Sequence, residues 1–267
     1  MKKRLPRILV TNDDGVHSPG LLAAIQAVCS FAKVMVAAPL TQQTGMGRAQ
    51  CGNPQSRFET IPLAVCGKTF EALACDAAPA RVISHFMTVF PDSMPDLLIS
   101  GINYGENFGI TITGSGTVGA AIEGAVRGIP SIAVSLAAPV HQHYSYAEKD
   151  WDGAIYFLRY FTELALAKGF PKGADILKIE VPEGATPATK WRVARLSHSR
   201  YYGRNFNKPT VHTLLGEGES AIIPSPNEPN DTDRFATSVD KVVALTPLQL
   251  DSTAHEAMAS LEKWREP

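Results

Sequence analysis

Short apolar runs alternate along the first half of the chain with segments whose apolar residues recur every three or four positions. This is the mark of a parallel β-sheet covered by helices on both faces. Residues 8–10 read as a first strand, and Leu21, Leu22, Ile25, Val28 and Cys29 then fall on one helical face entered at Pro19 and Gly20. Residues 34–38 form a second strand closed by Pro39, and after an irregular stretch a third is expected around residues 69–73. Val82, Ile83 and Phe86 predict a helix, residues 97–100 a strand, and Val118, Ile122, Ala125, Val126 and Ile129 a helix beginning near Gly116 and stopped by Gly128 and Pro130. Residues 131–136 are apolar enough for a buried strand.

The texture changes near Ala147, where a long helix carries Trp151, Ile155, Leu158, Phe161 and Leu164 on one face. Strands at 176–181 and 191–196 follow, separated by Pro and Gly turns, and then a polar, Gly-dotted, aromatic stretch at 200–219. Another strand is expected at 242–246 and a closing amphipathic helix at 253–266. The pattern predicts a single α/β domain over residues 1–267, with a parallel-sheet core covered on both faces over about 1–146. The remaining core elements and a smaller extension then occupy about 147–267.

Composition adds mainly exclusions. The chain has 267 residues, 45% hydrophobic and 19% charged, with 25 basic against 26 acidic side chains. Its formal net charge of -1 and lack of any basic run beyond Lys2, Lys3 and Arg4 argue against a nucleic-acid duplex as partner. No apolar run is long enough to span a bilayer, and the N-terminus passes too quickly into Asn12 and Asp13 to read as a signal peptide. Cys29, Cys51, Cys66 and Cys75 show no CxxC spacing and sit among apolar neighbours, as expected of reduced structural thiols in a cytoplasmic protein.

In an open α/β sheet, ligands bind beyond the carboxyl ends of the strands. Four polar segments fall there. Thr11, Asn12, Asp13, Asp14 and Gly15 follow the first strand: adjacent carboxylates call for a bound cation, although Asp-Gly pairs also build solvated turns. Hard oxygen ligands of this kind suit Mg²⁺ or Mn²⁺ better than Zn²⁺. Residues 38–45, ending in Thr44 and Gly45, offer hydroxyls and amides without charge. Residues 100–109 hold Asn103 and Asn107 among glycines, which fits either a turn loop or amides aimed at a metal and a phosphate. Residues 113–117 run straight into a helix, where Ser115, Gly116 and Thr117 suit an anion site and equally suit an N-cap. Together the four segments fit a metal-phosphate site better than any one does alone.

These strings, in this order and spacing, resemble the SurE family of stationary-phase survival nucleotidases. The likeness is carried by 8–15 with Ser18, Pro19 and Gly20, by 100–103 with Gly105, Asn107 and Gly109, and by 115–121. Thr246, Pro247 and Leu248 with Asp251 and Thr253 extend it to the C-terminus. The resemblance implies a divalent-metal phosphomonoesterase acting on nucleoside 5′- and 3′-monophosphates, with short polyphosphate as a further substrate. It implies one Mg²⁺ or Mn²⁺ per subunit held by Asp13, Asp14, Thr44 and Asn103, and phosphate contacts from Asn107, Ser115, Gly116 and Thr117. One of Asp13 and Asp14 would double as general acid or base. It also implies a Rossmann-like core over about 1–146 and a homodimer or homotetramer built through exchanged C-terminal segments. Thr44 stands where the family usually has Ser. Residues 75–81 depart from the family's string except at Pro79 and Ala80, which bears on the organic half of the substrate.

Rival readings are separable. An aspartyl-phosphate enzyme would carry Asp-x-Asp after the first strand, where this chain has adjacent Asp residues. A dinucleotide oxidoreductase would show Gly-x-Gly-x-x-Gly there and does not. A non-catalytic nucleotide or phosphate-binding module on the same fold would lack turnover. His17, the histidine nearest the motif, has no nucleophile beside it in sequence and reads as structural or surface.

Overall fold

In the computed structural model, which describes residues 4–265, the alternation becomes one nine-stranded sheet. The chain runs β1 (Arg7–Thr11), α1 (Pro19–Val28), β2 (Lys33–Pro39), β3 (Glu59–Val65), β4 (Lys68–Cys75), α2 (Pro79–Val89), β5 (Leu97–Tyr104), α3 (Gly116–Val126) and β6 (Ser131–Leu136). It continues through α4 (Asp152–Lys168), β7 (Ile176–Val181), β8 (Trp191–Val193), β9 (Tyr202–Asn205), β10 (Glu219–Ile222), α5 (Asp233–Ser238), β11 (Val243–Leu248) and α6 (His255–Glu262). The spatial order is β3-β4-β2-β1-β5-β6-β7-β11-β8, with β9 and β10 pairing separately as a hairpin. Strands from β4 to β7 are parallel, and antiparallel β3 and β11 flank them. Helices α1 and α4 pack together over one face and α2 and α3 over the other. That double cover buries every residue of β6 and β7, as a parallel sheet requires.

The sheet extends well past the texture change: β7, β11 and β8 all join it. Four elements differ from the sequence expectations for physical reasons. The irregular stretch before residue 69 contains β3, an edge strand that tolerates Pro62 and exposes alternate residues, so it carries no buried apolar run. Cys66 and Gly67 both adopt positive φ in its hairpin turn, the geometry of a type I′ connection. Helix α4 starts five residues later than Ala147, at Asp152, where the Asp150 carboxylate accepts the Asp152 N–H at 2.8 Å. Strand β8 ends early because Arg195 turns its backbone from the sheet to Asp231 and Asp233. Helix α5, six residues long, is too short for periodicity to reveal.

All four cysteines are free thiols, and they differ from expectation only in exposure. Cys75 is buried, and burial pushes its thiol up to about 11, but Cys51 and Cys66 are exposed. Among the described residues no helix is long and apolar enough to cross a membrane.

Candidate active site at the β1 and β5 strand ends

The chain leaves β1 toward β2 on one side and reaches β5 on the other, so the carboxyl ends of β1 and β5 flank a topological switch point. Asp13 and Asp14 stand at this crevice, only 3% and 1% exposed. Burial pushes the Asp13 carboxyl up to about 6 despite the Thr117 hydroxyl that donates to its Oδ1 at 2.5 Å. Asp14 is raised further from the usual carboxylate range, by burial first and the Asp13 charge second. Its Oδ1 accepts from Gln42 Nε2 at 3.1 Å and its Oδ2 from the Tyr104 N–H at 3.2 Å. Every contact to the pair is a neutral donor, and among the described residues no basic side chain forms a salt bridge with either carboxylate.

The other expected residues gather around Asp13. A register shift between β5 and β6 after Ser100 lets β5 run on to Tyr104, with Gly101 at φ +133 where a Cβ would strike the Val134 carbonyl oxygen. Such an irregularity re-aims the side chains beyond it, here Asn103. The Asn103 amide nitrogen donates to the Gly105 and Tyr104 carbonyls at 2.8 and 3.3 Å, which leaves its carbonyl oxygen for a cation. Asn107 donates its amide to Ser135 Oγ at 3.0 Å with one hydrogen, keeping the second.

At the start of α3, Ser115 caps the helix by accepting the Val118 N–H at 3.1 Å, so its own O–H remains a donor. Gly116 sits so tightly on Asp13 that a Cβ there would lie 2.7 Å from Asp13 Oδ2. Thr117 is placed differently from a residue that touches phosphate through its side chain. Fully buried, it spends its hydroxyl hydrogen on Asp13 and orients that carboxylate.

Asp13, Thr44, Asn103, Asn107 and Ser115 line one cavity of about 250 Å³. Asp14 is held behind it and does not line it. No Lys or Arg lines that cavity. A second cavity of about 530 Å³ shares Thr44, His143 and Tyr202 with it and adds Tyr144, Phe206, Arg200 and Arg204. Aromatic faces beside cationic groups suit a flat heterocycle. Among the described residues no group of three or more His, Cys, Asp or Glu side chains could hold a metal, so a cation here would depend on Asp13, Asp14 behind it and neutral oxygens. Glu106 also lines the cavity, its carboxylate accepting from the Tyr201 and Tyr202 hydroxyls.

Sequence reasoning missed the clamp that holds this crevice from residues 138–147. Tyr146 donates its hydroxyl to the Asp14 carbonyl at 2.6 Å, and Gln42 also donates to the His143 carbonyl at 2.7 Å. His143 in turn sets its Nε2 3.0 Å from the Ala138 carbonyl. The Tyr146 and Gln42 contacts join segments more than 100 residues apart, and no local pattern announces them. His17 is exposed.

A family model described as "Survival protein SurE" matches residues 8–203. The 5′-nucleotidase SurE of Thermococcus kodakarensis is 36% identical, the match covering 96% of this chain and 97% of the relative. The chain belongs to the SurE family. The 5′-nucleotidase SurE of Archaeoglobus fulgidus is 33% identical, with 97% of both chains covered. The crystal structure of the SurE protein from Aquifex aeolicus superposes with a TM-score of 0.75 at 26% identity, covering 98% of this chain and 100% of that one.

Within this SurE chain Thr44 is exposed on the cavity rim. Residues 75–81, where the chain departs from the family's string, stand apart from both cavities. They lead into α2 on a helix-covered face, while the β9–β10 hairpin supplies Tyr202 and Phe206 lies just beyond β9.

Proposed function

We infer that this SurE-family chain is a metal-dependent phosphomonoesterase that hydrolyses nucleoside 5′-monophosphates, the activity named for its relatives. The observation that carries the reading is the pair Asp13 and Asp14, buried at the sheet's switch point with neutral donors alone around it. Two such carboxylates fit a divalent cation, because burial without a counter-charge is costly and hard oxygens suit Mg²⁺ or Mn²⁺. Asp13, Asp14, Thr44 and Asn103 would hold it. When bound, the cation supplies Lewis-acid polarisation of the phosphoryl group and a lowered pKa for water.

The remaining work falls to the chain. Thr117 orients Asp13, and the Tyr104 N–H with Gln42 orients Asp14. The free amide hydrogen of Asn107, the Ser115 hydroxyl and the first N–H groups of α3 at Gly116 and Thr117 meet the phosphate oxygens as charge develops on them. Only Asp13 of the two carboxylates lines the cavity, so acceptance of the proton from the attacking water is assigned to Asp13. The nucleoside half enters the adjoining cavity, its base against Tyr144 and Phe206.

Phosphate release from a panel of 5′- and 3′-nucleotides and short polyphosphate, with Mg²⁺, Mn²⁺ or chelator, tests the reading. Turnover that survives chelator removes the metal from the reaction.

Assembly as a dimer or tetramer is proposed on one feature. Helix α6 buries none of its residues and leaves Met258, Leu261 and the adjacent Trp264 exposed, an apolar surface that a second copy would cover. Sedimentation of the full chain should give a multiple of 28.7 kDa, and a monomer at micromolar concentration would refute assembly.

A further inference from the structure

Behind the Asn107 wall of the cavity lies a cluster of buried ionisable side chains that the reaction does not touch. Lys178, Glu180 and Asp233 are 1%, 0% and 0% exposed. Lys178 and Glu180 share one face of β7, two residues apart, and Asp233 opens α5. The three donors of the Lys178 ammonium are all used: on Glu180 Oε1 at 3.0 Å, on Asp233 Oδ2 at 3.0 Å and on the Asn107 carbonyl at 2.9 Å. Glu180 Oε2 accepts the Asn107 N–H at 3.1 Å, and Asp233 Oδ2 accepts the Gly109 N–H at 2.9 Å. Ser135, paired with Glu180 across β6 and β7, takes the Asn107 side-chain amide.

Asn107 is thus gripped at its N–H, its carbonyl and its side chain, all from one side. Burying an ion-pair cluster is a poor way to stabilise a fold, because apolar residues of similar volume do as well or better. What this arrangement gives and apolar packing cannot is a directional hold on one peptide unit. We propose that Lys178, Glu180 and Asp233 are positioning residues that fix the Asn107 peptide, and through it the amide that meets the substrate phosphate. The proposal rests on the reading of Asn107 as a phosphate contact.

A double-mutant cycle on the full chain loaded with Mn²⁺ tests it, using Glu180→Gln and Asn107→Ala. Gln at 180 keeps the volume and an oxygen for Lys178 but turns an NH₂ toward the Asn107 N–H. Glu180→Gln should raise KM for a nucleoside monophosphate, and the inhibition constant of inorganic phosphate, by about tenfold, with a smaller change in kcat. Mn²⁺ affinity by calorimetry should not change. In the Asn107→Ala background the same substitution should add less than about twofold. A purely structural role would instead lower the melting temperature and the active fraction, leaving KM and the phosphate constant alone.

Unchanged constants in Glu180→Gln, or an effect that multiplies in full onto Asn107→Ala, overturn the proposal while Asn107 keeps its role. An unchanged phosphate constant in Asn107→Ala overturns the phosphate reading of the loop and the proposal with it. Should Glu180→Gln fail to fold, Asp233→Asn takes its place in the cycle under the same criteria, since it weakens the hold on Lys178 and Gly109.

Discussion

Two places in this protein bury a pair of carboxylates, and they solve the problem oppositely. Glu180 and Asp233 have the Lys178 ammonium between them, 3.0 Å from each. Burial would push that ammonium down, but the two carboxylates overcome it and hold its pKa above the ordinary lysine value. Asp13 and Asp14 have only a hydroxyl, a side-chain amide and a peptide N–H. Burial pushes Asp13 and Asp14 up out of the usual carboxylate range, and Glu180 too, to about 7 even beside Lys178, so what separates the two pairs is the ion pair itself. The compensated pair is complete within the chain and can only position. The uncompensated pair faces the cavity through Asp13 and invites a cation from outside, which is what a metal-dependent phosphatase needs.

The contrast makes removal of charge act with opposite sign in the two places. Lys178→Met strands two carboxylates in the interior and should cost about 3–5 kcal/mol of stability, read from urea unfolding. Loss below about 1 kcal/mol would mean that the cluster is not a closed charge set. Asp13→Asn should lower kcat/KM on the order of 10²–10³-fold, yet leave the metal-free protein at least as stable as wild type, because it relieves a buried like-charge pair. A stability loss comparable to that of Lys178→Met would erase the distinction between the regions.

Saturating Mn²⁺, at about 100 times its dissociation constant, should stabilise wild type by about 2.7 kcal/mol and Asp13→Asn far less, as measured by thermal melts. Equal stabilisation of both would locate the ion elsewhere. The smallest effect belongs to Thr117→Val, which removes the hydroxyl donor from Asp13. A loss of activity of about tenfold with an unchanged fold is expected, and full activity would show that Asp13 needs no orienting partner.

What could be read from the chain before any coordinates divides along the same line. The uncompensated site lies at or just beyond the carboxyl ends of strands, where polar residues interrupt apolar runs. Asp13, Asp14, Asn103 and Asn107 therefore stood out, and β1, β5 and α3 were legible from their periodicity. The compensated cluster was invisible, because Lys178 and Glu180 look like ordinary polar positions in a strand and Asp233 lies 53 or more residues further along the chain, in the short helix α5. The clamp from His143 and Tyr146 escaped for the same reason, being assembled by sheet topology. At 115–117 the residue types could not separate capping from anion binding, and the fold uses them for both a cap at Ser115 and an aspartate brace at Thr117. Strand β3 stayed hidden because Pro62 interrupts its apolar residues 61–65, which argues against a strand everywhere except at a sheet edge.

The most direct test of the central claim is anomalous diffraction from crystals of the full chain grown with Mn²⁺. One peak within coordination distance of Asp13 and the Asn103 carbonyl oxygen, absent in Asp13→Asn, is the predicted result. A peak at Glu180 and Asp233, or none at Asp13 in crystals of active protein, would contradict it.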